Sequence, residues 1–460
     1  MPEARRKAKD SSIAQSPRRQ VTFFYSILLT FRLSKICKED PFWKHTSEIP
    51  PNPPLVKGGR GDFWRALPHG NLFGCGFAAL WSMRFILFAL RHTLGLMLFP
   101  ILGGGKKMSK LFSPLKLRNI EFKNRIFVSP MCQYSSKEGM PNDWHLVHLG
   151  ARAVGGAALV IAEATAVSPE GRITPWDTGI WSDPHAQVFR PIAAFLKAQG
   201  AIPGIQLGHT GRKASTEAPW RGRRPVAENE GGWKPVAPSP LPFDRCSPVP
   251  RELTVAEIAE LVSKFAEAAG RSLQAGFEVL EIHMAHGYLF HQFLSPLTNQ
   301  RGDRYGGSLE NRLRFPLEAT RAVRKIWPDS FPLFIRISCT DWMENGWDLV
   351  QSFELCRQLK KIGVDLIDCS SGGLVPDAPI SPGPGFQTPF SAAIRQQVGM
   401  PTGAVGLITE PAQAEQIIST GQADAVLLAR QFLRDPYWPL HAARALGVDI
   451  PWPQQYERAK

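Results

Sequence analysis

The sequence predicts a (β/α)8 TIM barrel over residues 108 to 460, and three observations carry that expectation. Eight short apolar runs lack the alternation of a half-exposed strand, as parallel strands covered on both faces do. Helical patterns separate these runs, so strands and helices alternate through a single unit. No G-x-G-x-x-G follows any run, which disfavours an open dinucleotide-binding sheet.

Taken in order, strands are expected near 125–128, 158–162, 202–206, 279–283, 333–338, 366–370, 402–405 and 425–429. Helices are expected over 142–153, 185–199, 254–275, 309–326, 350–362 and 411–419. Thr254 and Glu257 have the Ser/Thr-x-x-Glu spacing of a capping box, and Ser308 is placed to cap the helix that begins at Leu309, with Glu310 in its first turn.

Residues 1–107 differ from the rest. They carry 17 Lys+Arg against 6 Asp+Glu, leaving 37 against 34 for the remainder, so the net charge of +14 belongs mainly to this leader. The barrel itself gives no charge argument for a nucleic-acid partner. The leader lacks amphipathic periodicity, and its apolar part, 72–102, is cut by Arg84, Arg91, His92 and Pro100. That pattern does not suit a spanning helix, so no membrane partner is expected, and a secretory signal would stand at the N-terminus. The leader is read as a disordered extension or a mis-called start, with the folded unit opening at Met108. The seven cysteines are widely spaced without C-x-x-C, which points away from a disulfide framework and towards the cytoplasm.

A barrel of this kind places its chemistry at the carboxyl ends of the strands. The first strand runs into Ser129, Pro130, Met131, Cys132 and, further on, Tyr134; the second into Glu163, Ala164 and Thr165; the third into Gln206 and, beyond it, Lys213. The fourth ends at His283, with His286 and Tyr288 just after it. Two imidazoles and a phenol suit an anionic or carbonyl oxygen and a proton transfer, but the spacing also fits metal ligation or a structural role. Arg336 sits inside an apolar strand. A buried guanidinium needs an electron-rich partner, either a carboxylate on a neighbouring strand or a ring that becomes anionic on reduction. Gly406 and Arg430, after the last two strands, match a barrel phosphate site or serve as turn residues.

Longer motifs narrow these alternatives. They are LFSPLKLRNIEFKNRIFVSPMCQY (111–134), HLGARAVGGAALVIAEATAV (148–167), QLGHTGRKA (206–214), HMAHGYLFHQFLSPLTNQRGDRYGGSLENRLRF (283–315), IRIS (335–338) and LLARQFLRDPYWP (427–439). With them, residues 108–460 resemble the Old Yellow Enzyme family of FMN-dependent ene-reductases, in its thermophilic-like, xenobiotic-reductase branch.

The resemblance implies FMN as cofactor, NADPH or NADH as reductant, and an electrophilic alkene such as an enone as substrate. It implies no metal. It implies that Ser129, Pro130, Met131, Cys132 and Ala164 line the flavin, that Gln206 bonds its pyrimidine edge, and that Arg336 stabilises the reduced, anionic ring. Gly406, Ala429 and Arg430 would hold the phosphate, with Ala429 standing where relatives frequently have glycine. His283 and His286 would polarise the substrate carbonyl, and Tyr288 would protonate the α-carbon. Tyr134 and Lys213 would shape the pocket mouth near Trp220. Arg458 would reach a neighbouring subunit's site, in a homodimer or homotetramer.

Three other readings are weighed. A metal-dependent barrel hydrolase or aldolase would use His283 and His286, but no paired Asp or Glu on a helix face completes a ligand set of the H-E-x-x-H kind. The larger dienoyl-CoA reductase and amine dehydrogenase relatives add a cysteine cluster that this chain lacks. A tethered, non-enzymatic protein would act through the basic leader.

Overall fold

The structure, a computed structural model, describes residues 109–460. The expectations for the leader, including its reading as a disordered or mis-called segment, lie outside the described residues.

The chain opens with a hairpin, β1 (Leu115–Leu117) and β2 (Ile120–Phe122), whose two-residue loop places Arg118 at φ 51°. Then come β3 (Ile126–Val128), α1 (Asp143–Val154), β4 (Leu159–Ala166), α2 (Asp183–Ala198) and β5 (Ile202–Gly208). A long excursion carrying the short pair β6 (Val236–Ala237) and β7 (Arg251–Glu252) leads to α3 (Val255–Gln274) and β8 (Val279–Met284). The remainder is α4 (Leu289–Leu294), α5 (Leu309–Ile326), β9 (Leu333–Ser338), α6 (Leu349–Ile362), β10 (Leu366–Ser370), α7 (Thr388–Val398), β11 (Thr402–Ala404), α8 (Pro411–Ser419), β12 (Ala425–Leu428), α9 (Arg430–Arg434) and α10 (Trp438–Leu446).

Eight strands close into a parallel barrel in the order β3, β4, β5, β8, β9, β10, β11, β12 and back to β3. This is the expected (β/α)8 architecture, and every expected strand is present. Two run on beyond their apolar stretch. β4 continues to Ala166 through a register shift between Ala162 and Ala164, and β5 continues to Gly208. Their extra residues lead towards the barrel mouth, where polar side chains have partners, so hydrophobicity alone stops too early.

The expected caps form. Thr254 Oγ1 accepts from Glu257 N at 3.2 Å while Glu257 Oε2 accepts from Thr254 N at 2.8 Å, and Ser308 Oγ accepts from Asn311 N. Four helices were not expected: α4, α7, α9 and α10. Of these, α7 follows a Pro- and Gly-rich stretch and carries Pro in its own first turn, which masks its start.

Two cores result. The larger lies between the strands and the helices, around residues such as Phe189, Phe265, Phe290 and Phe315. The smaller fills the lower lumen: Phe127 and Phe334 meet Phe122 of the hairpin, with ring centroids 4.9–6.5 Å apart, so β1 and β2 plug the end opposite the mouth. Each such ring contributes roughly 1.5–3 kcal/mol on burial. No helix among the described residues is long and apolar enough to cross a membrane, and the five described cysteines are unpaired.

Candidate active site

Successive residues of a strand point to opposite faces, so positions two apart share the lumen. That parity aligns Glu281 with His283 on β8, Arg336 with Ser338 on β9, and Asp368 with Ser370 on β10. Above the apolar plug these side chains build a polar layer. Gln206 of β5 lies in register with Glu281, and its Nε2 donates to Glu281 Oε1 at 2.7 Å. Arg336 lies in register with Asp368, its Nε 3.1 Å from Asp368 Oδ2 in an ion pair that lacks directed hydrogen-bond geometry. The same guanidinium donates through Nη1 to Ser129 Oγ at 2.9 Å. Ser129 follows β3, which stands half-way round the barrel from β9, so Arg336 reaches across the lumen. Of the alternatives raised for Arg336, the structure shows the carboxylate of a neighbouring strand, and the same guanidinium stands under the mouth.

Glu281 and Asp368 were not singled out from sequence. Both are fully buried, and burial pushes their carboxyl groups up, to about 8 for Glu281 and about 6 for Asp368. The sequence signal was available in their spacing, two residues before His283 and Ser370.

His283, His286 and Tyr288 come together at the end of β8. Ala285 N donates to His283 Nδ1 at 3.2 Å, which leaves the ring hydrogen on Nε2, 3.2 Å from His286 Nδ1. The hydrogen on His286 Nε2 then faces Ser370 Oγ at 2.7 Å. Burial, and next the Arg336 charge, hold both imidazoles well below the usual histidine range, so both are neutral donors. His286 adopts φ 58°, held there because its N–H donates to Ser338 Oγ at 2.9 Å. The Tyr288 ring packs edge-on against His283 with centroids 4.9 Å apart, and burial pushes its phenol well up. Among the described residues, no group of three or more His, Cys, Asp and Glu side chains converges as a metal site.

Lys213 closes the layer from above. Its Nζ donates to His286 O and Gly373 O, both at 2.9 Å, and stands 5.4 Å from the Tyr288 ring centre. Burial, then Arg212 and Arg223, lower its ammonium to about 7. Lys213, Tyr134 and Tyr288 line a cavity of about 180 Å³ together with Ile173, Glu217 and Phe243. The expected neighbour Trp220 meets Tyr134 edge-on at 5.6 Å.

A second cavity, of about 300 Å³, is lined by His286, Ser370, Gly406, Ala429 and Arg430. Gly406 has φ 115°, and a Cβ there would stand 2.8 Å from Gln387 Nε2. Arg430 is exposed and makes no hydrogen bond or ion pair among the described residues. A close-approach glycine, an unopposed guanidinium and the Arg336 side chain in the layer below fit an elongated anionic cofactor with a phosphate at one end.

The remaining expected residues are placed as follows. Pro130, Met131 and Cys132 follow Ser129 and are half-buried; burial, then Asp177 and Glu163, hold the Cys132 thiol well up. Ala164 lies in register with Gln206, while its neighbour Thr165 turns its hydroxyl to Glu163 O. Arg458 is not brought to the mouth of its own chain. It lines a separate groove of about 440 Å³ with Tyr437, Trp452 and Tyr456.

Residues 110–448 match the model of the NADH:flavin oxidoreductase / NADH oxidase family. The chain is 47% identical over 350 residues to an NADPH dehydrogenase of Geobacillus thermodenitrificans (strain NG80-2), covering 76% of this chain and 98% of that one. Among solved structures it resembles morphinone reductase at 28% identity and TM-score 0.63, covering 75% of this chain and 92% of that one. It also resembles 2-naphthoyl-CoA reductase at 28% identity and TM-score 0.67, covering 73% of this chain, and there it spans only 52% of the relative's length.

Proposed function

The chain belongs to the NADH:flavin oxidoreductase / NADH oxidase family, and from that membership we propose that it is an FMN-dependent NADPH dehydrogenase that reduces the activated C=C bond of enones and related electrophilic alkenes. One observation supports the finer reading most: two neutral imidazole donors and a protonated phenol stand together at the end of β8, beside a lumen-spanning guanidinium.

FMN, when bound, would supply the hydride-transfer chemistry that links the reduced nicotinamide to the alkene. Arg336, Gln206 and Ser129 hold the ring edge, and Gly406, Ala429 and Arg430 hold the phosphate. His283 and His286 exchange their internal acceptors for the substrate's carbonyl oxygen. Donors aimed at an oxygen that gains charge stabilise the transition state more than the ground state. Tyr288 keeps its proton at neutral pH and delivers it to the α-carbon. Tyr134 and Lys213 shape the pocket that admits the alkene, and Cys132 lies along the flavin as a neutral thiol. Arg458 completes the site of a neighbouring copy in a homodimer or homotetramer. The unpaired cysteines favour a reducing compartment, the cytoplasm.

The test is an anaerobic absorbance titration. Flavin bands that bleach with NADPH and return with 2-cyclohexenone are expected. A colourless protein that FMN does not reconstitute overturns the cofactor reading. Bands that bleach and do not return with any electron-poor alkene overturn the substrate class.

A further inference from the structure

We propose that Glu281, Asp368 and Arg336 form a charge-setting layer below the flavin site, in which Glu281 carries a resident proton, and that the net charge of this layer tunes the reduction potential of the bound cofactor. The inference rests on the flavin reading above and adds a role to two carboxylates outside the catalytic set.

The argument is a charge count in a closed space. The three side chains come from adjacent strands β8, β9 and β10, with exposures of 0% for Glu281 and Asp368 and 6% for Arg336. With all three ionised, the layer would bury one unopposed negative charge, which a low-dielectric interior disfavours strongly. A proton on one carboxyl group removes it.

Geometry assigns that proton. Asp368 lies against the guanidinium, 3.1 Å from Arg336 Nε. Glu281 receives only the uncharged amide of Gln206 on Oε1, and its Oε2 has no hydrogen-bond partner among the described residues. The groups facing Glu281 are Asp368 from β10, Arg336 from β9 and Gln206 from β5, with the neutral His283 one layer above on its own strand. Burial first, and then the Asp368 charge, raise Glu281, which agrees with the assignment.

The layer is then neutral at pH 7: a guanidinium, a carboxylate and a carboxylic acid. Loss of the Glu281 proton to solvent at higher pH makes it anionic and opposes the arrival of electrons on the ring above. Removal of the Asp368 charge leaves the Arg336 cation unopposed and favours that arrival.

The experiment measures the midpoint potential of the bound flavin between pH 6 and 10 by anaerobic spectroelectrochemistry on the holoenzyme. The Glu281→Gln variant keeps the shape of the protonated acid. It is expected to match the wild type at pH 6 and to lack the additional fall that the wild type shows above about pH 8. Asp368→Asn is expected to raise the potential by at least tenfold in the reduction equilibrium, about 30 mV for a two-electron couple. Superimposable pH profiles for wild type and Glu281→Gln overturn the layer while leaving the flavin reading standing.

A second measurement on the apoprotein does not need the cofactor. A carboxyl group raised on folding gives stability that is full below its unfolded value and lost as pH rises through its folded value. Glu281→Gln should therefore gain in melting temperature relative to wild type from pH 5 to 8. A difference that stays flat with pH overturns the resident proton. Absence of flavin from the reconstituted wild type instead overturns the parent reading, and the spectrum alone reports it.

Discussion

Tyr288 is suited to give a proton and unsuited to lose one spontaneously. Its phenol is half-buried against His283, and desolvation holds it above the ordinary tyrosine value. Only a carbanion-like centre developing in contact with it would draw the proton off. Tyr288→Phe removes one hydroxyl and keeps the packing, so flavin content and reduction by NADPH should stay as in the wild type. The reoxidation of the flavin by 2-cyclohexenone should slow by about 10²–10⁴-fold, the usual worth of a positioned general acid. Stopped-flow traces of the two half-reactions separate these effects, and an unchanged reoxidation rate would remove Tyr288 from the mechanism. His283 acts differently, as a donor with a fixed tautomer. The Ala285 N–H on Nδ1 sets that tautomer, so the donor edge depends on the backbone of the β8 turn as much as on the ring.

At the scale of elements, the exit of β11 makes the sharpest demand. Gly406 needs a backbone conformation that L side chains rarely adopt, and an added Cβ would press on Gln387 Nε2, whose hydrogen bond to Val405 O at 3.0 Å braces the turn. Gly406→Ala should cost about 1–3 kcal/mol in strain. Because the strain falls on the cavity beside Arg430, FMN affinity should weaken roughly tenfold or more, since about 1.4 kcal/mol corresponds to tenfold. Fluorescence titration of the apoprotein checks this, and an undiminished affinity would place the phosphate elsewhere. Thr254→Ala is the contrasting case. It deletes the capping box of α3 and should cost about 1 kcal/mol in thermal unfolding while leaving FMN affinity unchanged.

The same elements show what was legible in the sequence. Strands buried on both faces advertise themselves as apolar runs, and the end of β8 displayed its two histidines and tyrosine openly. The run that defines β4 is interrupted by Glu163, whose carboxylate accepts from Gln133 N at 2.6 Å, so the strand reads short. Glu281 and Asp368 stayed hidden for a related reason: each is one charge in an apolar strand, and only side-chain parity puts them in a common layer with Arg336.

For the molecule as a whole, the barrel is closed by the pairing of β12 with β3, and the segment leading into β3 is anchored from its first described residues. The backbone N–H groups of Lys110 and Leu111 both donate to the Glu415 carboxylate of α8, at 3.0 Å each. The region aligned with the Geobacillus NADPH dehydrogenase covers 98% of that protein, so the relative performs its activity with a barrel of this length. A chain that begins at Met108 should consequently retain the flavin-to-protein ratio, the NADPH-driven turnover and the melting temperature of the full 460-residue chain. Side-by-side purification of the two, with absorbance, steady-state assay and thermal unfolding, checks all three. Loss of flavin or a lowered melting temperature on truncation would mean that the basic leader contributes to the barrel, and its surplus of 17 Lys+Arg over 6 Asp+Glu would then need a partner surface on the barrel.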